Sequence, residues 1–401
     1  MSIEKETIID KGDDQFDSLL NVINNWDELN LDPTILRGVF AYGFEKPSPI
    51  QQRAIKPIIE GKDVIAQAQS GTGKTATFAI GALQKVDVKS RTTQVLILSP
   101  TRELTTQTAK VVTEMGCFMK GLKVQTFFGG LNIEEGSSFS NNNVPHIICG
   151  CTGRVYDMIR KNRINPKTIK LIILDEADEM LSSGFKEQVY NIFQYVSQDI
   201  QVGLFSATMP EDINGIINKI MRNPVKVCVK REQLTLEGIS QFYIAIEDDR
   251  QKYNTLKDIF SFIAVSQTII YCNSIKRVQD LYQAMKEDDF PVCRIHSNMD
   301  KMERDRAFND FRTGKSRVLI SSNVTARGID IQQVSVVINF DLPKCVHIYL
   351  HRIGRSGRWG RKGVGINFIT KRDVPLLKNI EQHYSTEITE MPGDLSFLTT
   401  L

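Results

Sequence analysis

Short runs of apolar residues recur along the chain, and most are separated by stretches in which apolar positions return with helical period. Read as strands, the runs fall near 64–68, 94–99, 124–128, 146–150, 170–174, 201–206 and 225–229. A second series falls near 241–246, 267–272, 291–295, 316–321, 334–340 and 363–369. Helical patterns lie between most of them, for example over Glu103–Met115 and Lys186–Val196. Strands interleaved with helices predict an α/β fold of mostly parallel sheets covered on both faces. Upstream of the first run, residues 26–59 read as helical with a break at Tyr42–Pro49. Residues 1–20 are polar and mixed in charge, the composition of a flexible tail. The charged run Val229–Gly238 breaks the rhythm, which then restarts. The expected organisation is a tail over 1–20, a first domain over 21–229, a linker over 230–240 and a second domain over 241–401.

Length and composition agree with two ordinary domains. The chain has 401 residues, 41% hydrophobic and 24% charged, with a formal net charge of +3. So small an excess neither demands nor excludes nucleic acid, because a basic groove can hide in a near-neutral total. No apolar run approaches membrane-spanning length, and no charged, apolar and small segments line up as a secretory signal. Of the seven cysteines, Cys149 and Cys151 form a C-x-C rather than a spaced zinc quartet. Buried reduced thiols in an intracellular protein are expected.

The strongest chemistry lies in Ala68-Gln69-Ser70-Gly71-Thr72-Gly73-Lys74-Thr75, between the first apolar run and a helical pattern. Glycines there let backbone N–H groups curl around phosphate oxygens at a helix N-terminus, which already favours anions. Lys74 is then placed to reach the β- and γ-phosphates and Thr75 to ligate Mg²⁺. Later, Leu171-Ile172-Ile173-Leu174 ends in Asp175-Glu176-Ala177-Asp178. Acids leaving a buried parallel strand emerge at its carboxyl edge, beside the phosphate loop. Asp175 suits the acid that shares Mg²⁺ with Thr75, and Glu176 the group that polarises the attacking water. A solvated acidic turn is the alternative reading of the acids alone.

Together, Gly71–Thr75, Asp175-Glu176-Ala177-Asp178, Ser206-Ala207-Thr208 and His351-Arg352-Ile353-Gly354-Arg355-Ser356-Gly357-Arg358 resemble, in order, the signature motifs of DEAD-box RNA helicases. The resemblance runs from about residue 25 to the end. Asp175–Gln188 and Glu232–Ile239 resemble the eukaryotic initiation factor 4A group within that family. The resemblance implies two tandem RecA-like domains.

It also implies roles, position by position. Gln51, after Phe44 and Pro47, matches the glutamine that reads adenine; an amide donates and accepts at once, which suits adenine's N6/N7 edge. Trp26 matches an aromatic stacked near the base, with core packing as its alternative. Pro100, Thr101 and Arg102, the turn Gly129-Gly130, Gly153, Arg154 and Ser321 match RNA-backbone contacts. Ser206, Thr208, Asp178 and His351 match groups that link ATP state to RNA state, although Ser206-Ala207-Thr208 alone reads as a capping turn. Arg355 and Arg358, three apart, match an arginine pair that reaches the γ-phosphate. Asp330 matches a contact to the ATP ribose.

Three positions depart from the family pattern. Cys151-Thr152-Gly153-Arg154 stands where Thr-Pro-Gly-Arg is usual, and a loop without proline is expected to be less rigid. Asn323 stands where an Asp is usual, which bears on coupling between the domains. Lys301 replaces a common Gln. None of these touches Lys74, Asp175, Glu176 or the arginines, so an active ATPase is expected.

The implied activity is RNA-stimulated ATP hydrolysis, with Mg²⁺ as cofactor, driven by closure of the two domains about the linker and unwinding RNA locally. Single-stranded and duplex RNA are the implied substrates, bound through phosphate and 2′-OH. An initiation factor 4G type scaffold and accessory initiation factors are the implied partners of a monomeric cytoplasmic protein. An ATP-locked RNA clamp serving exon-junction or ribosomal RNA assembly, with a nuclear location, carries the same motifs. A DNA translocase is a further alternative, against which Gln51 with Phe44 argues.

Overall fold

The computed structural model describes residues 22–68, 71–129, 144–181, 184–209, 213–228, 239–261, 267–323, 334–356, 363–393 and 395. The first half contains strands β1 (Val64–Gln67), β2 (Val95–Leu98), β3 (Val124–Phe127), β4 (Ile147–Gly150), β5 (Leu171–Asp175), β6 (Gln201–Ser206) and β7 (Val225–Cys228). Its helices are α1 (Pro33–Ala41), α2 (Pro49–Ile59), α3 (Lys74–Lys85), α4 (Arg102–Met115), α5 (Thr152–Arg160), α6 (Ala177–Met180), α7 (Lys186–Phe193) and α8 (Asn214–Ile220). The second half holds β8 (Ile239–Ala245), β9 (Gln267–Tyr271), β10 (Val292–Ile295), β11 (Val318–Ser321), β12 (Val334–Asn339), β13 (Gly363–Ile369) and β14 (Thr389–Glu390). Its helices are α9 (Lys252–Phe260), α10 (Ile275–Glu287), α11 (Lys301–Arg312), α12 (Val346–Ile353) and α13 (Val374–Tyr384).

The strands form two parallel sheets, ordered β3-β4-β2-β5-β6-β1-β7 and β10-β11-β9-β12-β13-β8-β14. Each sheet places its strands in one permutation: third, fourth, second, fifth, sixth, first, seventh. The chain therefore repeats one topology. Successive strand residues point to opposite faces, and the core divides accordingly. In the first sheet, Val64, Ala66, Val95, Ile97, Ile147, Cys149, Leu171 and Ile173 face one helical layer. Ile65, Leu96, Leu98, Ile148, Ile172 and Leu174 face the other. Both faces are covered, as parallel strands linked by crossover helices require.

All thirteen strand runs expected from sequence lie within two residues of observed strands; β14, a two-residue edge strand, was not expected. Ile239 and Ser240, assigned to the linker by pattern, already belong to β8. The rest of that linker and the tail lie outside the described residues, as do Ser70, Gly130, Asp330 and Arg358.

The repeat is not symmetric in chemistry. The phosphate loop follows β1, whereas the matching turn after β8 carries Glu247, Asp248 and Asp249. Acids there repel an anion, so among the described residues that turn is no counterpart of the phosphate loop.

Candidate active site

In the phosphate loop, Gly71 and Gly73 take φ of 87° and 100°, a region that Cβ-bearing residues enter only with strain. A Cβ on Gly73 would also lie 2.7 Å from the Gln51 amide nitrogen. Gly73 caps α3, whose first residue is Lys74. Lys74 is 6% exposed, and its Nζ has no hydrogen-bond partner among the described residues. A buried ammonium without a partner is costly, and the cradle fits an anion that supplies one.

β5 delivers Asp175 and Glu176 to the same carboxyl edge, both 3% exposed. Glu176 has φ of 52°, a left-handed conformation held on a non-glycine residue at the turn into α6. Its N–H donates to Asp175 Oδ1 at 3.0 Å. Burial raises the Asp175 carboxyl to about 7, the Glu176 charge adds to this, and Lys74 opposes it. Clustered acids with so poor a counter-charge fit a divalent cation.

The groups expected to link ATP and RNA states form one buried chain of hydrogen bonds. The Thr208 hydroxyl donates to Asp178 Oδ2 at 2.5 Å, and Asp178 N–H donates to Ser206 Oγ at 3.3 Å. From the second sheet, His351 Nε2 lies 3.1 Å from Asp178 Oδ2. Donor atoms of Glu176, Asp178 and His351 all lie within 4.8 Å of one another. Arg355, 2% exposed, donates from Nε to the His351 carbonyl at 3.2 Å. α12 thus brings a histidine from one unit against an acid of the other, with Arg355 two residues beyond the helix's last residue.

The expected adenine pocket needs one correction. Trp26 is not an open stacking face: it is 2% exposed within the first core, and its Nε1–H donates to the Phe44 carbonyl at 3.1 Å. It supports the Phe44 loop from behind. Tyr42, 38% exposed, stacks on the half-buried Phe44 with ring centres 5.1 Å apart. Gln51 Oε1 accepts from Ser48 N–H at 2.7 Å in a capping box, and its Nε2 is 3.5 Å from the Gly73 carbonyl. Ser48 Oγ donates to the Thr72 carbonyl at 2.8 Å, a contact that sequence reasoning missed. These two side chains join α2 to the phosphate loop. That leaves a second lone pair on Oε1 and a second N–H on Nε2 of the Gln51 amide.

On the expected RNA side, Thr101 caps α4 by accepting from Leu104 N–H, and Arg102 begins the helix, half-buried beside Gly129. Gly153 is exposed at the start of α5, and Arg154 is 3.5 Å from Asp157. Ser321 is corrected: it is fully buried, and its hydroxyl donates to the Ile295 carbonyl at 3.0 Å, inside the sheet. The next residue, Ser322, is half-exposed. The Cys151–Arg154 segment, expected as a loop, enters α5 at Thr152. Thr152 is fully buried, and its hydroxyl donates to Gln188 Oε1 on α7 at 2.7 Å. A second contact joins the two units here. Arg304 of α11 pairs with Glu103 of α4 at 2.7 Å, with side chains 9% and 18% exposed. Sequence offered only adjacency as a signal: Glu103 follows Arg102, and Arg304 follows Lys301 by one turn.

Comparison with known proteins gives the same outline. Residues 48–216 match the DEAD/DEAH box helicase family model, and residues 251–360 match the helicase conserved C-terminal domain. A Debaryomyces hansenii protein named ATP-dependent RNA helicase eIF4A is 50% identical over 99% of this chain and 100% of its own length. The S. cerevisiae Dbp5 structure bound to RNA and ADP BeF3 superposes with a TM-score of 0.85 at 36% identity, over 93% of this chain and 96% of that one. Mss116p bound to ssRNA and AMP-PNP gives 0.82 at 26% identity, over 97% and 82%. The two sheets have the architecture of tandem RecA-like domains, and the chain belongs to the DEAD-box RNA helicases, in the eukaryotic initiation factor 4A group.

Proposed function

We propose that this chain is an ATP-dependent RNA helicase in which RNA-promoted domain closure assembles the hydrolytic site and locally separates RNA strands. The observation that carries the reading is the 3.1 Å contact between His351 and Asp178, which places the second domain's α12 against the first domain's acids. The phosphate loop and Lys74 bind the triphosphate, and Gln51 favours adenine. Glu176 orients water toward the γ-phosphate. Arg355, with Arg358, supplies positive charge as negative charge spreads over the transferring phosphoryl oxygens. Thr75 and Asp175 would hold Mg²⁺, which would neutralise phosphate charge; the raised Asp175 carboxyl supports a cation there. None of these arginine and acid contributions is complete in one domain alone, so hydrolysis follows closure.

The RNA face comprises Arg102, Thr101, Gly129, Gly153 and Arg154 from the first domain, with the segment around Ser322 from the second. The resemblance to eukaryotic initiation factor 4A supports a role in translation initiation, in the cytoplasm, alongside an initiation factor 4G type scaffold. Lys74→Ala and Glu176→Gln should each lower RNA-stimulated phosphate release by about two to three orders of magnitude. Wild-type turnover in either would overturn the reading. Strand displacement of a labelled duplex then separates a helicase from a static clamp.

A further inference from the structure

One arginine of α12 faces away from the candidate active site. Arg352 is fully buried, with its guanidinium 5.1 Å from the Tyr271 ring centre. All five of its N–H donors are used. Nε donates to Asn323 Oδ1 at 3.0 Å, and Nη2 donates to the same oxygen and to Asn273 Oδ1, each at 2.7 Å. Nη1 donates to Asn339 Oδ1 at 3.1 Å and to the Asp341 carbonyl at 2.8 Å. Those acceptors lie at or just beyond the carboxyl ends of β9, β11 and β12, three adjacent strands. Two of the three asparagine oxygens are themselves aimed by other bonds. Asn273 Nδ2 donates to the Leu342 carbonyl, and Asn339 Nδ2 donates to Asn367.

All the acceptors are neutral. The nearby Asp341 carboxylate is engaged by Lys252 at 3.2 Å and by Arg277 at 2.9 Å. A buried cation whose hydrogen-bond acceptors are all neutral depends on the number and aim of those dipoles. Asn323 carries the largest share, because one oxygen takes two of the five bonds. It also opens the segment that leads to Asp330.

We propose that Arg352 is a positioning residue for hydrolysis, and that Asn323 is the acceptor by which it fixes α12. Arg352 pins the helix to the edge of its own sheet. The adjacent His351 is thereby set against Asp178, and Arg355, just past the helix end, is held by its bond to the His351 carbonyl. Asn323 is itself exposed, so a carboxylate there is only partly desolvated and still accepts both bonds. An apolar side chain at 323 removes two bonds to a buried charge and leaves part of it unmatched.

The inference rests on the ATP-hydrolysis reading. It is tested in the full chain by RNA-stimulated ATPase kinetics on Asn323→Asp, Asn323→Ala and Asn323→Leu, normalised to sites titrated with a non-hydrolysable ATP analogue. Asn323→Asp keeps kcat within about twofold of wild type or raises it. Asn323→Ala and Asn323→Leu lower kcat about tenfold with KM for ATP within about twofold, because the phosphate loop is untouched. A merely structural role would lower the melting midpoint and the number of titratable sites but leave kcat per site unchanged. That result, or equal losses in the Asp and Leu variants, overturns the proposal. Should Glu176→Gln retain hydrolysis, the underlying reading fails instead, so the two failures are distinguishable.

Discussion

At Asp175 the residue's environment sets a measurable linkage. Burial and the neighbouring Glu176 raise its carboxyl to about 7, so the nucleotide-free site holds a proton at mildly acidic pH. For an acid whose folded value is raised, that proton favours the fold at low pH, and the contribution is lost as pH climbs from 3.8 through about 7. Binding of Mg²⁺ with ATP has the opposite slope, because a cation at Asp175 requires the ionised form. Affinity for Mg²⁺–ATP should therefore fall as pH drops below 7, approaching tenfold per pH unit, with up to one proton released on binding at low pH. Calorimetry in buffers of different ionisation enthalpy measures the release. Asp175→Asn serves as the control that isolates the ligand's own protonation. An affinity with the same pH slope in both proteins would remove Asp175 from the metal site.

At the level of elements, α4 and α11 make a seam remote in sequence from the Asp178–His351 contact. Glu103 sits in the first turn of α4, where its charge also meets the positive end of the helix. Its partner Arg304 comes from the other sheet, and each keeps one atom without a hydrogen bond, Glu103 Oε2 and Arg304 Nε. Removing one member of a nearly buried pair strands the other, which costs more than the pair is worth. Glu103→Gln and Arg304→Gln should each raise the RNA concentration for half-maximal ATPase by about tenfold or more. The double variant should add little to either, a coupling that a double-mutant cycle reads directly. Additive losses would show that the two side chains act apart. This seam was not legible in the sequence, because pairing between α4 and α11 depends on how two separate sheets meet. The burial of Trp26 and Ser321 was not legible for a related reason. A motif match gives a position in the chain, whereas exposure depends on strand parity and on what packs behind it.

At the scale of the molecule, the legible part was the rhythm. Thirteen apolar runs became strands because a parallel sheet buried on both faces requires such runs, and the phosphate loop and acids followed from their place at strand ends. Illegible was the repeat of one strand permutation in both halves, since connectivity leaves no local trace. The consequence is that the two units meet by their edges, at Asp178–His351 and at Glu103–Arg304, joined covalently by residues 229–238. If that connection acts only as a tether, its length enters closure through loop entropy alone. Doubling it costs about 0.6 kcal/mol, or roughly threefold in the closure equilibrium. A variant with residues 229–238 duplicated should therefore need about threefold more RNA for half-maximal ATPase, with kcat at saturating RNA unchanged. Fluorescence transfer between dyes on the two domains should show the same end state with RNA and an ATP analogue. A fall in kcat itself would instead mean that this segment holds the domains in register, and that closure is specified by more than the two edge contacts.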